Sequence, residues 1–320
     1  MFAKLAVVTG LLLSFTLSNA QDFPNRPVRI VVPWPPGGNV DITARTVSQA
    51  LGDVLGQQVI VENRAGAGGT IGSGAVAKAP ADGYTLLLGS SGTITNAPAV
   101  YKNIAYDPVK DLTAIGPIQS TPLVLTAALK TPVANYRELV ALAQSRGGQV
   151  SIASAGNGSS NHLAIELWMR QANLKLVHVP YKGSGPALTD LLGGQVETMM
   201  DQLSASIGHL RENRFRALAV TGRARAPQLP SVPTLQEMGV AGFEVYTFTG
   251  LFGPAGMPAA VTAKLADALR KALAVESVRE KYRGMGVEVM DMAQPAFAEY
   301  VRIDFEKWRQ VAREARIVVE

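Results

Sequence analysis

The residues best placed to do chemistry in this chain lie in short stretches rich in glycine and hydroxyls, each between an apolar run and a helical pattern. The first is Pro35-Pro36-Gly37-Gly38-Asn39-Val40-Asp41. The second is Ser154-Ala155-Gly156-Asn157-Gly158-Ser159-Ser160, and the third is Lys182-Gly183-Ser184-Gly185-Pro186. Glycine between a strand and a helix bares backbone N–H groups, and these stand at the positive end of the helix dipole. The chemistry implied is non-covalent capture of an anion. Candidate ligand contacts are Gly37, Gly38 and Asn39 in the first stretch and Ser154, Gly156, Asn157 and Ser159 in the second. The third contributes Gly183, Ser184, Gly185 and Pro186, the proline suiting a first helical turn. Ser90 and Thr93 offer a fourth wall, and Trp34 stands beside the first stretch. Asp201 ends an apolar run and reads either as a partner for a ligand ammonium or hydroxyl or as a helix cap. Asp41 falls at the third helical position if Gly38 is the N-cap. A carboxylate there caps the helix and repels an acidic ligand, so Asp41 reads as structural. Any one of these stretches also serves plain turning and capping; three in one chain favour binding.

Covalent chemistry finds less support. There is no cysteine, which removes thiol catalysis and thiolate metal sites. No G-x-S-x-G elbow and no P-loop lysine pattern occurs. Gly66-Ala67-Gly68-Gly69-Thr70-Ile71-Gly72 is one residue off the dinucleotide fingerprint and follows only a short strand signal. His162 and Glu166 are four apart on a helical pattern, but the other two histidines, His178 and His209, lack motif spacing. His162 therefore reads as a helix-start or packing residue, and no metal or cofactor is expected.

The elements that must position these loops alternate between strand and helix, which argues for an α/β fold. Val40, Ala44, Val47, Leu51 and Leu55 recur at helical spacing, with Gly56 where a left-handed cap belongs. Strand signals occupy 28–33, 58–61, 84–88, 123–127, 150–153, 176–179, 196–200, 216–220 and 244–252. Helical patterns fill 135–145, 162–171, 186–192, 204–211, 259–274 and 295–313, and helical or loop residues run over about 93–111. The expectation is mainly parallel sheets flanked by helices, in two domains with a ligand cleft between them. One domain takes 21–121 plus 247–320, the other 122–246, and strand-like segments near 115–125 and 244–252 cross between them as a hinge.

The front of the chain bounds the compartment. Lys4, an apolar core over 5–17 and Ser18-Asn19-Ala20 make a secretory signal peptide, with cleavage expected after Ala20 and a periplasmic mature chain. That core is too short for a spanning helix, and no later segment is apolar enough, so no stable membrane insertion of the mature chain is expected. The formal net charge of +5 is scattered, which suits small acids better than nucleic acid. A monomer is expected.

Taken together, Val31-Val32-Pro33-Trp34-Pro35-Pro36-Gly37-Gly38-Asn39-Val40-Asp41 resembles the opening of the Bug family, the solute receptors of tripartite tricarboxylate transporters. Glu62-Asn63-Arg64-Ala65-Gly66-Ala67-Gly68-Gly69, Ala81-Asp82-Gly83-Tyr84-Thr85, Val177-His178-Val179-Pro180-Tyr181-Lys182-Gly183, Leu191-Leu192-Gly193-Gly194-Gln195-Val196 and Pro230-Ser231-Val232-Pro233-Thr234 continue the likeness in order. The resemblance implies a two-domain periplasmic binding fold of type II character and a small carboxylate held by backbone N–H groups, hydroxyls and water. It further implies a membrane permease as partner. Ala65 stands where the family often has proline, and Gln202 where asparagine is common after Asp201, a change that bears on ligand choice. Two other readings remain open at this point. One is an exported hydrolase or lyase on a similar scaffold; the other is a ligand sensor for a membrane kinase.

Overall fold

Hydrophobic period decides the layers. In the first strand, β1 (Val28–Val32), Val28, Ile30 and Val32 enter one core while Val31 enters another on the opposite face. The first helix, α1 (Asn39–Leu55), buries Val40, Ala44, Val47, Leu51 and Leu55 against the first of these cores. It stops at Gly56, whose φ of +68° lets its N–H close on the Gly52 carbonyl. The chain continues through β2 (Val59–Asn63), α2 (Thr70–Ala77) and β3 (Thr85–Ser90). A π-helical turn (Gly92–Asn96), α3 (Ala97–Val100) and the long β4 (Leu112–Ala128) follow. Next come α4 (Tyr136–Ser145), β5 (Ser151–Ser154), α5 (Ser160–Gln171), β6 (Val177–Pro180) and α6 (Ser184–Gly193). Then β7 (Thr198–Gln202) runs directly into α7 (Leu203–Arg211), and β8 (Phe215–Val220) follows. β9 (Tyr246–Pro254), α8 (Ala259–Ala274), α9 (Glu276–Gly284), β10 (Glu288–Val289) and α10 (Gln294–Ala315) complete the order. This is a computed structural model and describes residues 23–315 and 317–319; the expected signal peptide, 1–20, lies outside the described residues.

One mixed sheet joins all the strands, in the path β2-β1-β3-β9-β4-β7-β5-β6, with β8 and β10 also paired to β4. Its two wings are parallel: β1 with β2 and β3, and β5 with β6 and β7. The centre departs from the mainly parallel expectation, because β4 pairs antiparallel with β7, β8, β9 and β10, and β9 with β3. The cause is β4 itself. It pairs with β9 from Leu112 to Pro122, then takes β7 and β8 as partners from Leu123 onward. Parallel pairing is confined to the wings, where the helical crossovers α1, α2, α5 and α6 join consecutive strands.

Four apolar clusters cover the faces of this sheet. Two flank the β1–β3 wing, one under α1 and α8 and one under α2 and the start of α10. Two flank the β5–β7 wing, one under α4 and α5 and one under α6 and α7. Helix α10 reaches both wings: Phe297 and Val301 pack on the first, Trp308 and Ala312 on the second.

Candidate functional site

Four helices begin at one place. Gly38 N-caps α1, Ser159 N-caps α5, Gly183 precedes α6 and Gln202 precedes α7. Each start follows a strand end. Because β1 runs opposite to β5, β6 and β7 through the intervening β9 and β4, the carboxyl ends of the two wings point toward each other and their loops meet between them. The N–H groups of a first helical turn have no partner within the helix, and four such ends concentrate partial positive charge. A cleft lies among them. Trp34, Pro35, Gly38, Asn39 and Val40 form one side, extended by Ser90 and Gly92. Ala155, Ser159, Ser160, Asn161, Ser184 and Gln202 form the other. None of these lining residues carries a formal charge. The enclosed space is about 30 Å³, room for roughly two water molecules. A roomier recess of about 310 Å³ lies between β4, α8 and residues 289–294. Only α10 begins beside it, at Gln294, and its lining mixes Leu269 and Leu273 with the charged Asp267, Arg270, Arg279 and Asp291.

Asp41 shapes the first loop from behind. It is 3% exposed, and it accepts hydrogen bonds from the Gly37 N–H, the Asn63 amide and Arg45 at 2.9–3.1 Å. Burial pushes its carboxyl up, but Arg45, Gly37 and Asn63 together hold it below the usual range. Asn39, beside it, accepts from Gln119 Nε2 at 3.0 Å and from Ser204 Oγ at 2.6 Å. The second of these spans the cleft. Trp34 donates its indole N–H to Ser90 Oγ at 3.4 Å.

Asp201 plays the corresponding part on the other side. It is fully buried, and its Oδ1 accepts from Asn161 Nδ2 and from Ser184 Oγ, both at 2.7 Å. Burial pushes its carboxyl up to about 6, against the opposing pull of those two donors. The walls meet closely at Gly183. Its φ is +132°, and a Cβ there would come within 2.4 Å of Pro35 Cγ.

Of the expected contacts, Trp34, Gly38, Asn39, Ser90, Ser159 and Ser184 line the cleft. The remainder stand elsewhere. Gly37 gives its N–H to Asp41, and Thr93 ties its hydroxyl to the Ser90 backbone. Ser154 and Gly156 turn the second loop beneath the surface, the Ser154 hydroxyl bonding within that turn. Asn157 and Pro186 face outward, Gly183 and Gly185 abut Pro35 and Pro36, and Asp201 lies under the wall. Ser160 and Asn161 line the cleft without having been singled out. Their signal was present, since both follow the Ser159 cap in a helix start, but the partner that orients Asn161 is forty positions away at Asp201.

One titratable cluster sits beside the second loop. His162, Glu166 and His178 each offer an atom within 4.8 Å of the others. Sequence spacing hid it, because β6 brings His178 in from a separate strand. The two rings stack at 4.4 Å and 12°, so their in-plane lone pairs run parallel instead of converging on one ion. Burial lowers both imidazoles to about 4, with His178 adding to the effect on His162. His162 Nδ1 accepts the Gly158 N–H at 3.2 Å, and His178 Nε2 lies 2.6 Å from Ser154 Oγ. The second contact has the form of a nucleophile and base. Ser154 is wholly buried, however, and the cleft lining does not include it. The pair holds the loop.

Known proteins share this fold. The family model described as tripartite tricarboxylate transporter family receptor, TctC, matches residues 43–317. The protein BugT of Bordetella pertussis is 35% identical over 297 residues, covering 92% of this chain and 91% of that one. The solved periplasmic binding protein BugD has a TM-score of 0.90 at 35% identity, covering 93% and 100% of the two chains. An R. palustris protein solved with adipate gives 0.89 at 34% identity, covering 93% and 99%. The MatC protein of Rhodopseudomonas palustris with bound malate gives 0.86 at 36%, covering 90% and 99%. These likenesses span nearly the whole chain, and the chain belongs to the TctC family of tripartite tricarboxylate transporter receptors, among its Bug-type members.

Proposed function

We propose that the chain is an extracytoplasmic receptor that captures a small carboxylate in this cleft and presents it to a tripartite transporter permease, leaving the ligand covalently unchanged. The observation that carries the reading is the meeting of four helix starts around a cleft whose lining bears no charge. Backbone N–H groups there, with the Ser90 hydroxyl, suit a carboxylate without a cationic clamp. The adipate and malate bound by two similar proteins support that class, di- and tricarboxylates or acidic amino acids included.

The walls nearly touch, so a ligand enters only if they part. The two wings would then act as domains, divided near Pro122 and Tyr246, where β4 and β9 leave one another. Differential contact with the closed form would give the permease its signal. Export would follow cleavage after Ala20, which N-terminal sequencing of secreted protein checks.

The mature protein should rise in melting temperature with one or a few acids from a panel of carboxylates and amino acids, as linkage requires. The same acid should be recovered intact after long incubation. A flat melting curve across the panel rejects the receptor reading; a product in the incubation favours the exported hydrolase or lyase.

A further inference from the structure

The side-chain hydrogens around the cleft are divided unevenly between its walls. A serine hydroxyl has one hydrogen to give, and an amide nitrogen has two. On the wall of α5 and α6, Ser159 donates its hydrogen to the Gly156 carbonyl at 2.6 Å. Ser160 donates to Asn96 Oδ1 at 2.9 Å, and Ser184 donates to Asp201 Oδ1 at 2.7 Å. Asn161 Nδ2 gives both of its hydrogens away, to the Met200 carbonyl at 2.9 Å and to Asp201 Oδ1 at 2.7 Å. Both of those partners are acceptors, so the orientation of this amide is fixed. Those four side chains keep only lone pairs for the cleft. Gln202, also on this wall, gives one amide hydrogen to Asn161 Oδ1 at 3.3 Å and keeps the other, so the serine oxygens are the acceptors left open.

The opposite wall has the reverse character. Asn39 Oδ1 is taken by Gln119 and Ser204, which leaves its amide hydrogens for the cleft. Ser90 Oγ accepts from Trp34 and keeps its own hydrogen. Behind the acceptor wall lies the Asp201 carboxylate, fully buried, with Oδ2 lacking any hydrogen-bond partner among the described residues.

We propose that this receptor selects carboxylates that carry a hydrogen-bond donor, a hydroxyl or an ammonium, on the carbon chain, and that Ser184 and Ser160 are the acceptors that read it. The inference rests on the carboxylate-receptor reading above. A plain diacid can satisfy the helix N–H groups, but its methylenes would cover the serine oxygens and strip them of water without replacement. A site built to bond a polar group rejects the analogue that lacks it. One unmet buried acceptor is worth about tenfold to a hundredfold in affinity.

Calorimetric titration of matched pairs at three chain lengths tests this: malate and succinate, 2-hydroxyglutarate and glutarate, 2-aminoadipate and adipate. Aspartate against malate separates ammonium from hydroxyl. At whichever length binds, the donor-bearing acid should be tighter by at least about tenfold. In Ser184→Ala that ratio should fall toward unity, a change in selectivity that a purely structural role for Ser184 would not produce. If the variant does not fold, the wild-type ratios decide alone. Equal or tighter binding of the plain diacids overturns this inference and leaves the receptor reading standing. Absence of binding by every acid overturns both.

Discussion

Asp41 lies in the first turn of α1, where its two oxygens gather Gly37, Asn63 and Arg45. The place in the turn is legible from its distance to Gly38, but Arg45 and Asn63 are not, because a partner on another strand leaves no mark at fixed spacing. Asp41→Ala should lower unfolding stability by about 1–2 kcal/mol, the range of a lost helix cap; chemical denaturation measures it. The same reasoning applies to the histidine pair with a proton count attached. Burial lowers His162 and His178 to about 4. The stability of keeping them neutral is present above their ordinary 6.5 and is lost as pH falls through about 4. Asp201, raised to about 6, runs the other way: its share is present below 3.8 and is lost as pH rises through about 6. Asp201 is present in wild type and in a His178 variant alike, so it cancels from their difference and the imidazole sets the pH dependence. His178→Gln should therefore melt closest to wild type near pH 4, and the wild-type advantage should widen toward pH 6.5. An advantage that stays constant with pH would refute this assignment.

At the level of elements, most strands and helices were readable because their apolar periods are clean. β4 was not readable as one strand of 17 residues. Pro117 and Pro122 break its pattern, and the fold absorbs the first at a register shift between Pro117 and Gln119. The short α9 is almost wholly polar and buries only Val278 and Tyr282, so its period was faint. The π-helical turn at Gly92–Asn96 has no sequence rule of its own, yet it supplies one edge of the cleft. Loop placement carries its own prediction. Gly183 needs its positive φ, and any side chain at that position meets Pro35 when the walls are together. Gly183→Ala should weaken ligand binding by more than about tenfold, the scale of 1–3 kcal/mol of backbone strain with the added clash. Calorimetry with the preferred acid measures it, and unchanged affinity in a folded variant would show that closure does not bring these loops together.

Across the whole molecule, β4 and α10 tie the two wings, one through the sheet and the other along its face. The alternation of elements implied such a frame, but no pattern within α10 foretold that its two ends serve different cores. The charge-free lining of the cleft has a kinetic consequence. Partial charges at helix ends fade within about one turn, so they hold an acid that has arrived but do not draw it in from afar. The net charge of +5 is spread over the surface and adds only a weak field. Capture should therefore proceed at nearly the same rate in dilute and concentrated buffer. Stopped-flow association rates should vary less than about threefold between roughly 20 and 300 mM salt, where long-range steering would give far steeper loss. A receptor of this kind keeps working when the ionic strength around it changes.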